Sequence, residues 1–168
     1  MSHTLDRFAQ AVRNTLLADP SPAGREQVRA LLETLIVDAE FAAEQLRDDH
    51  PQRRVLYEDA DLGFAILGHV FTAARRTQPH DHGVSWAIYG QVAGVTTMDG
   101  WNIVEPASAD KPGKVRLRDS VELTPGAARL YNENEIHSPR REGPAKLIRI
   151  EGNPHQSGPG RRWEIVAD

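Results

Sequence analysis

The chain has 168 residues, no cysteine, seven histidines, and 20 Lys and Arg against 24 Asp and Glu, for a formal net charge of −4. This length suits a single domain over residues 1–168 with one ordinary core. A balanced charge with no block of like residues argues against nucleic acid as a partner, and without cysteine any metal site must draw on His, Asp or Glu. The start of the chain lacks the basic residues and apolar run of a secretion signal, and no stretch reaches the roughly 20 apolar residues a membrane helix needs. The expectation is a soluble, cytoplasmic protein with no membrane partner.

Residues 1–50 are expected to be helical. Leu5, Phe8, Val12 and Leu16 follow the spacing of one helical face until Asp19-Pro20-Ser21-Pro22 interrupts them. Ser21 then caps a second helix with Pro22 at its first position. Leu31, Leu32, Leu35, Ile36, Ala39, Ala42 and Leu46 give that helix a broad apolar stripe suited to a sheet. His50-Pro51 closes the region. From residue 54 the texture changes to short runs rich in Val, Ile, Leu, Tyr and Phe, broken by Gly, Pro, Asp and Asn. Strands are predicted at 55–57, 64–72, 85–89, 92–97, 101–104, 115–123, 127–131, 146–151 and 163–166, with a hairpin turn at Asp99-Gly100 and a type II turn at Pro125-Gly126. The stretches 105–114 and 153–162 read as the long loops. So many short strands at close spacing indicate a barrel or sandwich.

The chemistry concentrates on Pro79-His80-Asp81-His82-Gly83, just ahead of a strand. Residues i and i+2 of an extended segment project to one face, so His80 and His82 can converge on one ion while Asp81 points away. A bare His-x-His pair matches by chance as often as by function. A barrel that closes strand against strand, however, can bring His137 from a distant segment toward the same mouth.

The frame around these histidines resembles the cupin family. Cupins carry a His-x-His pair followed at set spacing by a Glu and a Gly; His80, His82 and Gly94 fit that register, and the Glu position falls on Ala87. A second cupin motif sets a Pro-Gly turn ahead of a further His, and Pro125-Gly126 with His137 looks like a stretched version of it. The resemblance covers roughly residues 54–152. It implies a mostly β protein, a double-stranded β-helix or jelly-roll barrel over 54–166, with the N-terminal helices packed outside and a homodimer as the family's common assembly. Replacing the carboxylate leaves a neutral three-histidine face that favours anionic ligands. Such cupins look like the thiol dioxygenases, the group containing cysteine dioxygenase and 3-mercaptopropionate dioxygenase, and His80-Asp81-His82-Gly83-Val84-Ser85-Trp86-Ala87 is similar to their motif.

The resemblance implies Fe(II) held by His80, His82 and His137, with O2 and a small anionic, thiol-containing molecule as reactants; a metal-binding cupin of other chemistry, such as diketone or ring cleavage or isomerisation, and a non-catalytic ligand-binding cupin are the alternatives. Nickel or zinc can fill a nitrogen site when more available. It also implies a carboxylate-binding arginine on the strand before the ligand loop, a place that Arg54 occupies; a solvated basic pair, Arg53-Arg54, is the alternative. The Ser-x-His-x-Tyr relay of that group is missing, because the matching stretch reads Leu147-Ile148-Arg149-Ile150-Glu151. Arg149 and Glu151 share a side of their strand and are candidates to replace the relay, with a structural ion pair as the alternative. Tyr89 is a candidate proton donor, and Trp86 and Tyr131 are candidate substrate contacts; for all three, barrel packing is the competing reading. His69 reads as a core histidine or as support behind a ligand, Trp101 as barrel wall, Glu135 as an alternative fourth ligand, and His155 as a loop residue near the mouth. His3 and His50 receive no role.

Overall fold

The computed structural model describes residues 3–108, 110–153 and 161–167. Three helices open the chain: α1 (His3–Ala18), α2 (Pro22–Leu35) and α3 (Ala39–Gln45). Ser21 caps α2 as its sequence predicts, its Oγ accepting from the Ala23 amide at 3.2 Å. The single second helix expected through Leu46 is two. Asp38 accepts from the Phe41 amide at 3.0 Å and starts α3, so this carboxylate cap ends one helix and begins the next across Ile36 and exposed Val37. No helix among the described residues is long and apolar enough to cross a membrane.

Ten strands follow among the described residues: β1 (Arg53–Glu58), β2 (Ala65–Phe71), β3 (Arg75–Arg76), β4 (Ala87–Ala93), β5 (Thr96–Glu105), β6 (Gly113–Leu123), β7 (Ala128–Tyr131), β8 (Ile136–Arg141), β9 (Ala145–Glu151) and β10 (Trp163–Ile165). They form two five-stranded sheets, ordered β1-β2-β9-β4-β7 and β10-β6-β5-β8-β3. All their pairings are antiparallel except β10 with β6. This is the curled, two-layer double-stranded β-helix that the cupin motifs imply.

The turn expected at Asp99-Gly100 lies inside β5, where pairing with β6 only shifts register between Gly100 and Trp101. The chain instead turns ahead of β5, at Gly94. There φ is +72° and a Cβ would stand 2.3 Å from the Pro144 carbonyl, so only glycine fits. Two strands escape the sequence reading. One is the two-residue β3. The other is β8, whose His-Ser-Pro-Arg-Arg lacks strand-forming residues and carries a proline with no amide for the ladder.

The first sheet has cores on both faces. Outward, Ile66, Ile88, Ile148 and Ile150 meet Phe8, Val12, Val28 and Leu32 of the helices. Inward, Ala87, Tyr89, Tyr131 and Leu147 pack with Met98 and Leu123 of the second sheet. Helix α2 comes so close to β4 that a Cβ on Gly90 would lie 2.8 Å from Leu32. Leu32→Ala is therefore expected to cost about 2–5 kcal/mol in urea unfolding, as truncations of fully buried leucines do. A loss below about 0.5 kcal/mol would show that the helices are not part of the cooperative core.

Candidate metal centre

The two arms of the centre come from different parts of the barrel and are fastened by backbone. His80 and His137 form an isolated antiparallel bridge, with the His80 amide donating to the His137 carbonyl at 3.0 Å and the His137 amide donating back at 2.9 Å. His82 lies two residues beyond His80 and joins them. Ring centroids are 4.7 Å apart for His80 and His137, 5.1 Å for His82 and His137, and 5.6 Å for His80 and His82. One ligand atom from each lies within 4.8 Å of the others, and among the described residues this is the group able to hold a metal ion.

Ring orientation is set from behind. His80 Nδ1 donates to the Gln78 carbonyl at 2.9 Å and His137 Nδ1 to the Glu135 carbonyl at 3.2 Å, leaving each Nε2 as the unprotonated, acceptor nitrogen, as in most histidine-ligated sites. Burial, reinforced by neighbouring cations, lowers the pKa of all three; His82 falls to about 3. The imidazoles are neutral at ordinary pH, which is the ligating form. Three neutral nitrogens suit a divalent first-row ion.

Asp81 points away, as the alternation predicts, and pins the loop. Buried, it accepts from the Gly83 amide at 2.8 Å and the Trp163 indole at 3.1 Å and pairs with Arg161 at 3.0 Å. Burial alone would raise its carboxyl, but Arg161, Gly83 and Trp163 together hold it below the usual range.

Around the histidines, Tyr89 and Arg149 bring polar atoms within hydrogen-bonding distance. The Tyr89 hydroxyl is 3.2 Å from Nε2 of both His82 and His137, and burial raises its pKa, so it is a neutral phenol. Arg149 Nη2 lies 3.3 Å from His82 Nδ1, its guanidinium sits 5.0 Å from the Tyr89 ring centroid, and it forms a close ion pair with Glu151. Arg149 and an ion compete for His82. A ligated Nε2 leaves a proton on Nδ1, which then cannot accept from the guanidinium, while a ligated Nδ1 displaces it directly.

Tyr131 stacks on His137 at 3.9 Å, with its hydroxyl buried and unpartnered among the described residues. The structure does not bring Arg54 or Trp86 to this place. Arg53 pairs with His69 and Arg54 with Gly68, so Arg54 projects to the helix side and donates to the Gln45 carbonyl at 2.8 Å; Arg53 takes the inner face. Trp86 packs in the helix-side core, with Arg25 5.7 Å from its ring centroid. Glu135 accepts from the Asn132 amide at 2.7 Å and is not in the metal group. Trp101 is barrel wall, donating to Ser138 Oγ at 2.9 Å. His155 lies outside the described residues.

Beside the histidines opens a chamber of about 370 Å³, reaching from His80 and Tyr89 past Leu147 to His69 and Phe71. Four arginines line it: Arg53, Arg75, Arg141 and Arg149. Only Arg149 was singled out from sequence. Arg141 shares the alternation of His137, a signal readable only once residues 136–141 are known to be a strand. His69 stands on this wall stacked against Phe71 at 5.6 Å, and burial lowers its pKa to about 3.

No protein-family model matches the chain, and no curated protein matches it. Among solved structures it is similar to BH2720 from Bacillus halodurans, at 18% identity over 76% of this chain and 87% of that one, with a TM-score of 0.51. A conserved protein with a double-stranded beta-helix domain from Klebsiella pneumoniae is 14% identical over 70% of this chain and 84% of that one, with a TM-score of 0.49. A cupin-2 domain containing protein from Shewanella frigidimarina is 13% identical over 71% and 97%, with a TM-score of 0.46. The chain has the cupin double-stranded β-helix fold, and likeness at this identity speaks to fold alone.

Two expectations follow from the site geometry. Zn(II) titration should give His137→Ala no stoichiometric site, whereas Arg149→Gln should bind several-fold tighter than wild type because a competing cation is gone; weaker binding by Arg149→Gln would refute the competition. Asp81→Asn should weaken metal binding about 10-fold or more and flatten the acid limb of stability. A carboxyl with a lowered folded pKa stabilises above its unfolded pKa of about 3.9 and loses that contribution as pH falls through the folded value. Wild-type and Asp81→Asn melting curves that stay parallel down to pH 3 would contradict this.

Proposed function

We propose that the chain is a metal-dependent oxygenase, a non-haem iron dioxygenase of a small anionic substrate, with thiol acids as the leading class. The observation that carries this reading is the meeting of three neutral imidazoles at the edge of a chamber lined by four arginines. Such a face leaves coordination positions for a substrate and O2, and the cationic wall selects an anion.

Fe(II) held by His80, His82 and His137 would supply the redox chemistry with O2. The chain's own groups then orient and balance charge. Arg149, freed from His82, turns its remaining guanidinium N–H groups to the substrate while Glu151 holds Nη2 in place. Tyr89, neutral by burial and close to two of the rings, offers its hydroxyl proton to negative charge gathering at the same point. Leu147 and Phe71 keep part of the wall dry, which strengthens these charge contacts.

A second reading is oxidation of a carbon acid. The strand that bears the Ser-His-Tyr relay in thiol dioxygenases presents Leu147, Arg149 and Glu151 to the interior here, a set with no relay for thiol chemistry.

Oxygen consumption separates the two. Protein loaded anaerobically with Fe(II) should take up O2 with mercapto acids, His82→Ala should take up none, and Tyr89→Phe should lose about 100-fold in kcat. Uptake with diketones or hydroxy acids but not thiols would move the assignment to the second reading. No uptake above the His82→Ala control with either panel would end the oxygenase proposal.

A further inference from the structure

Strand β8 carries two functional-looking groups to one face. Residues 137, 139 and 141 alternate inward, so Arg141 enters the chamber about 13 Å along the strand from His137, at about 3.3 Å per residue. Its setting is costly for a cation. Only 5% of Arg141 is exposed, and its guanidinium lies 3.7 Å from the Phe71 ring centroid. Its Nε is buried without a hydrogen-bond partner among the described residues.

The residue directly across the ladder is Arg75, a second cation, exposed to solvent. Like charges facing across strands destabilise a sheet, and a buried charge without a counter-ion is costly. Burial and Arg75 push Arg141 down to about 10, so it remains charged at neutral pH. The acids nearby are committed elsewhere: Glu151 to Arg149 and Arg53, and Glu142 to Arg76. His69 adds a buried ring nitrogen, Nε2, that also lacks a partner. The chamber thus holds an uncompensated positive end, walled by an aromatic ring and separate from the histidine face.

We propose that Arg75 and Arg141, with His69 and Phe71 behind them, form a subsite for an oxyanion carried by the ligand at the end away from the three histidines. The ligand is then a small molecule with two functional ends, one meeting the histidine face and the other a carboxylate, phosphate or sulfonate gripped by guanidinium. This deepens the substrate reading above by placing the anion on Arg141, and it is tested without turnover.

Full-length protein is titrated with succinate, inorganic phosphate and ethanesulfonate at constant ionic strength, by calorimetry and thermal melting, with and without Zn(II). Wild type should show a saturable rise in melting temperature with at least one of them, as a ligand of the folded state produces, and the three arms identify the oxyanion. Arg141→Met should lower affinity at least 10-fold and, without anion, melt no lower than wild type, because it removes an unpaired buried charge. Arg75→Gln should lower affinity by a smaller factor.

The subsite is overturned if no anion shifts wild type beyond sodium chloride, or if Arg141→Met keeps the wild-type response. Should Arg141→Met fail to fold, unchanged affinity in both Arg141→Lys and Arg75→Gln overturns it. Zinc stoichiometry is followed in every variant and should stay intact in Arg141→Met. Anion binding that depends on Arg141 in a protein taking up no O2 supports the subsite and removes only the oxygenase reading.

Discussion

Two reciprocal backbone hydrogen bonds between His80 and His137 hold the candidate centre together. They tie the loop that enters β4, in one sheet, to the strand β8 of the other, and they place three imidazoles from two separate segments at one point. Side chains alone would do this poorly, since three uncharged rings have little attraction for one another. The backbone bridge fixes the approach, the carbonyls of Gln78 and Glu135 fix two ring orientations, and Asp81, held by Arg161 and Trp163, keeps the loop from peeling away. A neutral, preassembled donor set of this kind spends little of a metal's binding energy on ordering the chain.

The charge pattern around that point is lopsided. Four arginines share the chamber wall, and Glu151 beside them is drawn to Arg149 and Arg53. Neutral histidines at one end and unpaired guanidinium at the other make a field that runs along the chamber, so a molecule entering it is oriented by charge before it makes close contacts. Tyr89 and Arg149 stand where the field meets the imidazoles.

How much of this was legible depended on whether a signal was local. The His-x-His spacing, the helical stripe from Leu5 to Leu16, the Ser21-Pro22 cap and most strands are written in adjacent residues, and the structure carries them. What failed was register and partner. Arg54 and Arg53 differ by one position, and only the pairing of β1 with β2 decides which one faces inward. Strand β8 was missed because Pro139 and its polar neighbours have no strand propensity of their own; β5 and β3 hold them extended from either side. With β8 unrecognised, Arg141 had no face to be assigned to, and Asp99-Gly100 looked like a turn because its flanking pairs were invisible.

Strand β9 is a partition one chain thick. Ile148 and Ile150 belong to the greasy space under the helices, while Leu147 and Arg149 belong to the chamber, and the strand itself separates the two compartments along that line. An inserted or deleted residue there would exchange the compartments' contents at a stroke, driving a guanidinium into oil and isoleucines into the arginine-lined chamber. Drift in length is therefore barred from this strand, whereas the turns that flank it are free to vary, and the arginine-lined chamber inherits its fixed outline from a wall built to be waterproof on its other side.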